Sequence, residues 1–194
     1  MNSSIQAYIE TAYPTKNLDE VDTKVMEKYV DIGAAVSIWE AIQKIPSIEC
    51  ERWHPDDEQE RSLLLFVVAP SLAYWSSRFH SRPAEERLQV LKENGGTYCN
   101  MTIHISNVSP FYLRSWTCWV LQADSTIRSS AMKSAPNAFW LDVQRAIEAI
   151  FTQYGRIPMT HEEAIAEVPW ILPGSELEER RVPVTVFRCL FEER

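Results

Sequence analysis

TYCNMTIHISNVSPFYLRSWTCWVL, residues 97–121, carries the pattern that decides the fold. From Thr97 to Ile105 the residues alternate strictly, with Cys99, Met101, Ile103 and Ile105 on one side and Tyr98, Asn100, Thr102 and His104 on the other. A period of two is that of a strand with one buried and one polar face. The run Phe111 to Leu121 is again β-branched and aromatic, and SNVSP between the two supplies turn residues, so the stretch reads as a β-hairpin.

Working outward, two further strands are expected upstream. Ile48 and Cys50 alternate with Glu49 and Glu51 up to Trp53, and SLLLFVVA, residues 62–69, is a compact β-rich run. The polar stretch HPDDEQER between them reads as a long acidic hairpin loop. Downstream, Ser134 to Tyr154 is the clearest helix, with Pro136 in its first turn, Gly155 as its stop and Phe139, Val143, Ile147, Ile150, Phe151 and Tyr154 as its apolar stripe.

Further helices are expected over Ser3 to Ala12, capped by a serine, and over Asn17 to Ile45, one helix or two broken near Gly33. Another opens at Ser81, carries Leu88 and Leu91 on a narrow stripe and ends at Gly95-Gly96. Thr160 and Glu163 form a capping box that starts a short helix closed by Pro169, and Val184 to Phe191 reads as a last strand. No internal repeat or domain-separating linker interrupts the chain. The expected architecture is one α+β domain, an antiparallel sheet of about five strands with helices packed mainly on one face.

Charge is spread unevenly over the 194 residues, whose net charge is −8. Residues 1–60 hold thirteen acids against five bases, residues 61–160 ten bases against six acids, and residues 161–194 eight acids against four bases. Phosphate contacts need a concentrated basic face, so nucleic-acid binding is not expected; Arg78, Arg82 and Arg87 are diluted by Glu85 and Glu86. The longest apolar runs, such as SLLLFVVAP, fall far short of the ~20 residues of a membrane-spanning helix. MNSSIQAYIE has no basic start and no continuous apolar stretch, so no secretory leader and a cytoplasmic location are expected. In that compartment Cys50, Cys99, Cys118 and Cys189 read as unpaired packing residues, and they lack the close pairs of a zinc site.

Chemistry-bearing motifs are sparse. The five glycines, Gly33, Gly95, Gly96, Gly155 and Gly174, form no phosphate-cradling pattern, and no G-x-S-x-G elbow is present. The trio Cys99, His104 and Cys118 comes together in the hairpin, but Cys99 and His104 are five positions apart and project from opposite faces of a strand. The acids Asp56, Asp57, Glu58 and Glu60 could attract a divalent cation, yet they lack the ligand spacing and the turn glycine of a calcium loop. Neither cofactor nor metal, nor catalysis, is expected.

Partner binding needs no missing motif. An acidic surface can steer toward and block a basic active-site cleft, and aromatic residues such as Trp53, Trp75 and Trp170 can anchor it. The C-terminal segments YGRIPMTHEEAIAEVPWILPG, residues 154–174, and VPVTVFRCLFEER, residues 182–194, resemble the ends of some small α+β immunity proteins encoded beside bacterial polymorphic toxins. There a helix, a turn and a closing strand complete a sheet. The resemblance implies a cytosolic antidote that binds one cognate toxin tightly, and it carries over no functional residue. The expected function is therefore neutralisation of a protein toxin by direct binding, through Asp56, Asp57, Glu58, Glu60 and Trp53. A small enzyme or ligand-binding domain is the alternative, and a structural subunit of a larger assembly the third.

Overall fold

The computed structural model describes residues 2–29, 32–53, 62–68, 83–174, 178 and 182–191. The hairpin that decides the fold is its centre. Strand β3 (Thr97–Ser106) pairs antiparallel with β4 (Phe111–Leu121), placing Cys99 opposite Cys118 and Ile105 opposite Tyr112. The turn is held by two serines, whose hydroxyls accept the N–H groups of Val108 and Phe111.

Strands β1 (Glu49–Trp53) and β2 (Ser62–Val68) extend the sheet on the β3 side, as expected. On the β4 side, β5 (Ile127–Met132) completes the antiparallel order β1-β2-β3-β4-β5, and β6 (Ile157–Met159) joins β4 in parallel. The fold is α+β, with a five-stranded antiparallel sheet plus this extra strand. Among the described residues no helix is long and apolar enough to cross a membrane.

Helices stand on both faces. Against the face bearing Cys99, Met101, Ile103 and Ile105 lie α3 (Ile32–Ile42) and α5 (Ala138–Gln153), enclosing an apolar core with Leu65, Trp116, Ile147 and Phe151. The opposite face is not the polar surface that alternation suggests. Under α4 (Ala84–Glu93), Tyr98 stacks on Trp119 beside Val68, Val90 and Leu91. Farther along, His104 is enclosed by the rings of Phe187 and Phe191, which belong to the C-terminal segment carrying α7 (Val186–Leu190). A third cluster joins α1 (Ser3–Ala12), α2 (Thr23–Tyr29) and α6 (His161–Ala164) to α7.

Several boundaries differ from the sequence reading, each for a local reason. Val184 to Phe191 is a helix rather than a strand: the Thr185 hydroxyl caps it at Arg188, Ser62 donates to the Phe191 carbonyl and Tyr13 donates to that of Cys189. These tertiary bonds outweigh the β-preference of a Val- and Phe-rich run. Asn17 does not begin a helix; its side chain accepts the Asp19 N–H, and Asp22 accepts that of Lys24, so α2 starts only at Thr23. The described helices there are α2, to Tyr29, and α3, which starts at Ile32 and includes Gly33. Caps shift likewise: Asn2 caps α1 and Asn137 caps α5, in place of the serines Ser3 or Ser4 and Ser134.

With α5 so phased, its buried residues are Trp140, Val143, Ile147 and Phe151, while Phe139 and Tyr154 are exposed. Val90 replaces Leu88 as the fully buried partner of Leu91 on α4, and the expected cap Ser81 lies outside the described residues. Gly95 and Gly96 end α4 at positive φ, where a side chain would be strained. The capping box of Thr160 and Glu163 is present, but α6 closes at Ala164, well before Pro169.

Candidate functional site

The expected binding region sits on the β1–β2 hairpin. Trp53 is the last residue of β1, paired with Leu64, and the chain re-enters the sheet at Ser62, opposite Ser106. Asp56, Asp57, Glu58 and Glu60 belong to the connection between those two points and lie outside the described residues. What the structure does show is the edge from which that connection springs. The carbonyl of Cys50 accepts the indole N–H of Trp39, from α3, at 2.8 Å and the amide of Gln43, just past its end, at 2.5 Å. Two donors fill its two lone pairs. The Arg52 guanidinium lies over the Trp39 ring, 5.4 Å from the centroid. Of the other aromatic candidates, Trp75 lies outside the described residues and Trp170 is half-buried against the terminal cluster.

Two expectations about the chemical trio are answered. Cys99 and His104 do lie on opposite faces. Cys99 and Cys118, however, form a disulfide, with Cα atoms 4.1 Å apart, which overturns the reading of four unpaired cysteines. They occupy directly opposed positions of an antiparallel pair, so the register alone brings their Cβ atoms within bonding range. Cys50 and Cys189 are buried outside any disulfide, and burial pushes the Cys50 thiol up to about 12, away from any nucleophilic role. His104, expected on an exposed polar side, is instead mostly enclosed, and that burial brings its pKa down to about 4.

A second site was not foreseen. The outer edge of β4 is shared: β5 covers Trp116 to Leu121 and β6 covers Phe111 to Leu113, so neither strand stands opposite Arg114 or Ser115. Because β5 runs antiparallel and β6 parallel to β4, both strands end at this gap. A cleft of about 510 Å³ opens there, within the size range of small-ligand sites. Arg114 on its floor donates Nε and Nη2 to a single Glu148 oxygen on α5, at 3.2 and 2.6 Å, and the Gln144 amide reaches the same oxygen at 3.1 Å. On the outer wall Lys133, just past β5, pairs with Glu162 on α6 at 2.6 Å. Thr152 donates its hydroxyl proton to the Glu148 carbonyl, and His161 completes the rim. Tyr112 is pushed up to about 12, first by burial and then by the nearby Glu148 carboxylate.

The signals for this cleft were faint in the sequence. Arg114 interrupts an apolar strand, and the Arg114–Glu148 partnership spans thirty-four positions, which no local pattern encodes. Among the described residues no group of three or more His, Cys, Asp or Glu side chains is placed to hold a metal ion.

Comparison with known proteins adds one distant likeness. Over 102 residues the chain is 26% identical to an ABC1 family protein, the MCP2 homolog of Schizosaccharomyces pombe (strain 972 / ATCC 24843), covering 53% of this chain. The match spans only 16% of the length of that curated relative. No protein-family model and no solved structure matches.

Proposed function

We propose that this chain is a binding protein of the immunity kind, which neutralises a cationic toxin by direct contact rather than by catalysis. The observation that supports the reading is the pairing on either side of the acidic run: the strands that flank it in sequence are adjacent and antiparallel, with Trp53 opposite Leu64 and Ser62 opposite Ser106. The connection between them carries Asp56, Asp57, Glu58 and Glu60 in its sequence. Confined like charges on one protein favour a cationic partner, raising the encounter rate and covering its basic cleft at once. Trp53, at the root of the same segment, is suited to be an aromatic anchor. The reading also implies a cytoplasmic site of action, where the antidote would meet the toxin.

Co-expression tests the proposal. The chain is produced alongside the product of the adjacent gene in a host that the latter harms; growth rescue together with a stable purified complex is the expected result. Rescue that persists when the four acids are replaced by their amides moves the contact elsewhere, and the lack of any complex or rescue overturns the reading.

A further inference from the structure

The gap in the β4 edge has a charge arrangement that selects its ligand, independently of any protein partner. Two ion pairs face the cleft, Arg114–Glu148 on the inner wall and Lys133–Glu162 on the outer. Their charges cancel, so a simple anion or a simple cation entering the cleft meets as much repulsion as attraction. The inner pair is nevertheless unevenly used. One Glu148 oxygen takes all three donors, two from Arg114 and one from Gln144, and among the described residues its second oxygen takes none. Nη1 of Arg114 likewise has no acceptor among those residues. A carboxylate oxygen and a guanidinium N–H of one ion pair thus both have unused capacity, in a pair whose side chains are only 22% and 34% exposed. Charge-assisted hydrogen bonds to both groups are stronger than neutral ones, and only a ligand carrying both signs makes them without stranding a charge.

From this geometry we infer that the cleft binds a small zwitterion of the α-amino-acid class. The ligand carboxylate receives Nη1 of Arg114 and is backed by Lys133; its ammonium donates to the unused oxygen of Glu148 and is backed by Glu162. The space, about 510 Å³, leaves room for a side chain beyond the two charged groups. The walls come from β4, α5 and α6, and the ends of β5 and β6 hold them apart, the same placement at strand carboxyl ends that makes switch points of other sheets into binding crevices.

The test is amide-resolved NMR of the full chain titrated with glycine, leucine, glutamine, lysine and glutamate in turn, with acetate and methylammonium as singly charged controls. At least one amino acid is expected to shift the amides of residues 112–114 and 159–162 at concentrations where neither control does. Glu148→Gln should weaken that binding at least tenfold. Lys133→Gln, at an exposed position where folding is not at risk, should weaken it severalfold. Equal shifts from acetate would make this a plain anion site and overturn the inference. Silence from every amino acid, or binding indifferent to both substitutions, would do the same. None of these outcomes bears on the toxin reading, whose residues belong to the β1–β2 connection and not to this cleft.

Discussion

The two edges of the sheet end in different ways. On one side a five-residue strand, β1, is finished by the end of a helix: Trp39 of α3 and Gln43 just past it saturate the Cys50 carbonyl, and Glu49, Glu51 and Arg52 put charges along the strand. Short, charged and partly covered edges resist pairing with stray strands. On the other side β4, eleven residues long, is covered by two short strands of opposite direction that leave Arg114 between them. The first edge keeps its pairing intact along Glu49–Trp53. The second pairs its charges closely and encloses them in a cleft. On the proposed reading, long-range attraction belongs to the β1 edge, and short-range, orientation-dependent recognition to the β4 edge.

The split edge depends on α5, so the largest effect is expected there. Phe151 is fully buried and stacks on Tyr112 at 4.2 Å between centroids, directly behind the residue that pairs with Pro158 of β6. Phe151→Ala should cost about 3–5 kcal/mol in a denaturation measurement. A loss below that range, with the β6 amides as protected as before, would show that β6 stands without its brace.

Next in size is the staple at the middle of the sheet. Cys118 lies between Cys99 of β3 and Ser130 of β5, so breaking the disulfide should loosen the β5 side most. Reduction, or the double change to alanine, should lower stability by roughly 2–4 kcal/mol. Stability indifferent to reductant, with all four cysteines alkylated in the denatured chain without prior reduction, would return them to the unpaired state that composition suggested.

His104 gives a third test on the face shared by both edges. Its pKa is about 4 in the folded chain against 6.5 unfolded, so between those values the unfolded chain binds more protons and stability rises with pH. As pH falls from about 6.5 to about 4, up to about 3 kcal/mol should be lost through this group. His104→Phe should flatten that acid limb; an unchanged limb would place the titration elsewhere. Smaller still is the finish of the β1 edge. Trp39→Phe removes one of two donors to Cys50 and should cost about 1 kcal/mol, read from the denaturation midpoint.

Much of the β1 side was legible because it rests on local patterns. Alternation located β3, composition located β2 and β4, and the acidic run marked the β1–β2 connection. The β4 edge was hidden for physical reasons. IRSSAM of β5 is mostly exposed and so has no buried alternation, although the turn before it is marked by Asp124, whose carboxylate accepts the Thr126 N–H and hydroxyl. Three residues with a central proline, Ile157 to Met159, form a strand only because β4 offers them an open side. The last segment was misread as a strand because its stabilising bonds come from Ser62, Tyr13 and a threonine cap, not from its own side-chain pattern. Ser62, polar by sequence, is buried where it donates to the Phe191 carbonyl of that segment.

The central claim, that the β1 edge acts through the charge of its connection, is tested most directly by stopped-flow association. The chain and a variant with Asp56→Asn, Asp57→Asn, Glu58→Gln and Glu60→Gln are mixed with the toxin that the co-expression experiment identifies, at low and moderate ionic strength. The native chain should associate faster at low salt and slow steeply as salt is added, while the variant starts slower and responds weakly, with folding stability little changed. Identical association rates for both proteins at every salt concentration would contradict it.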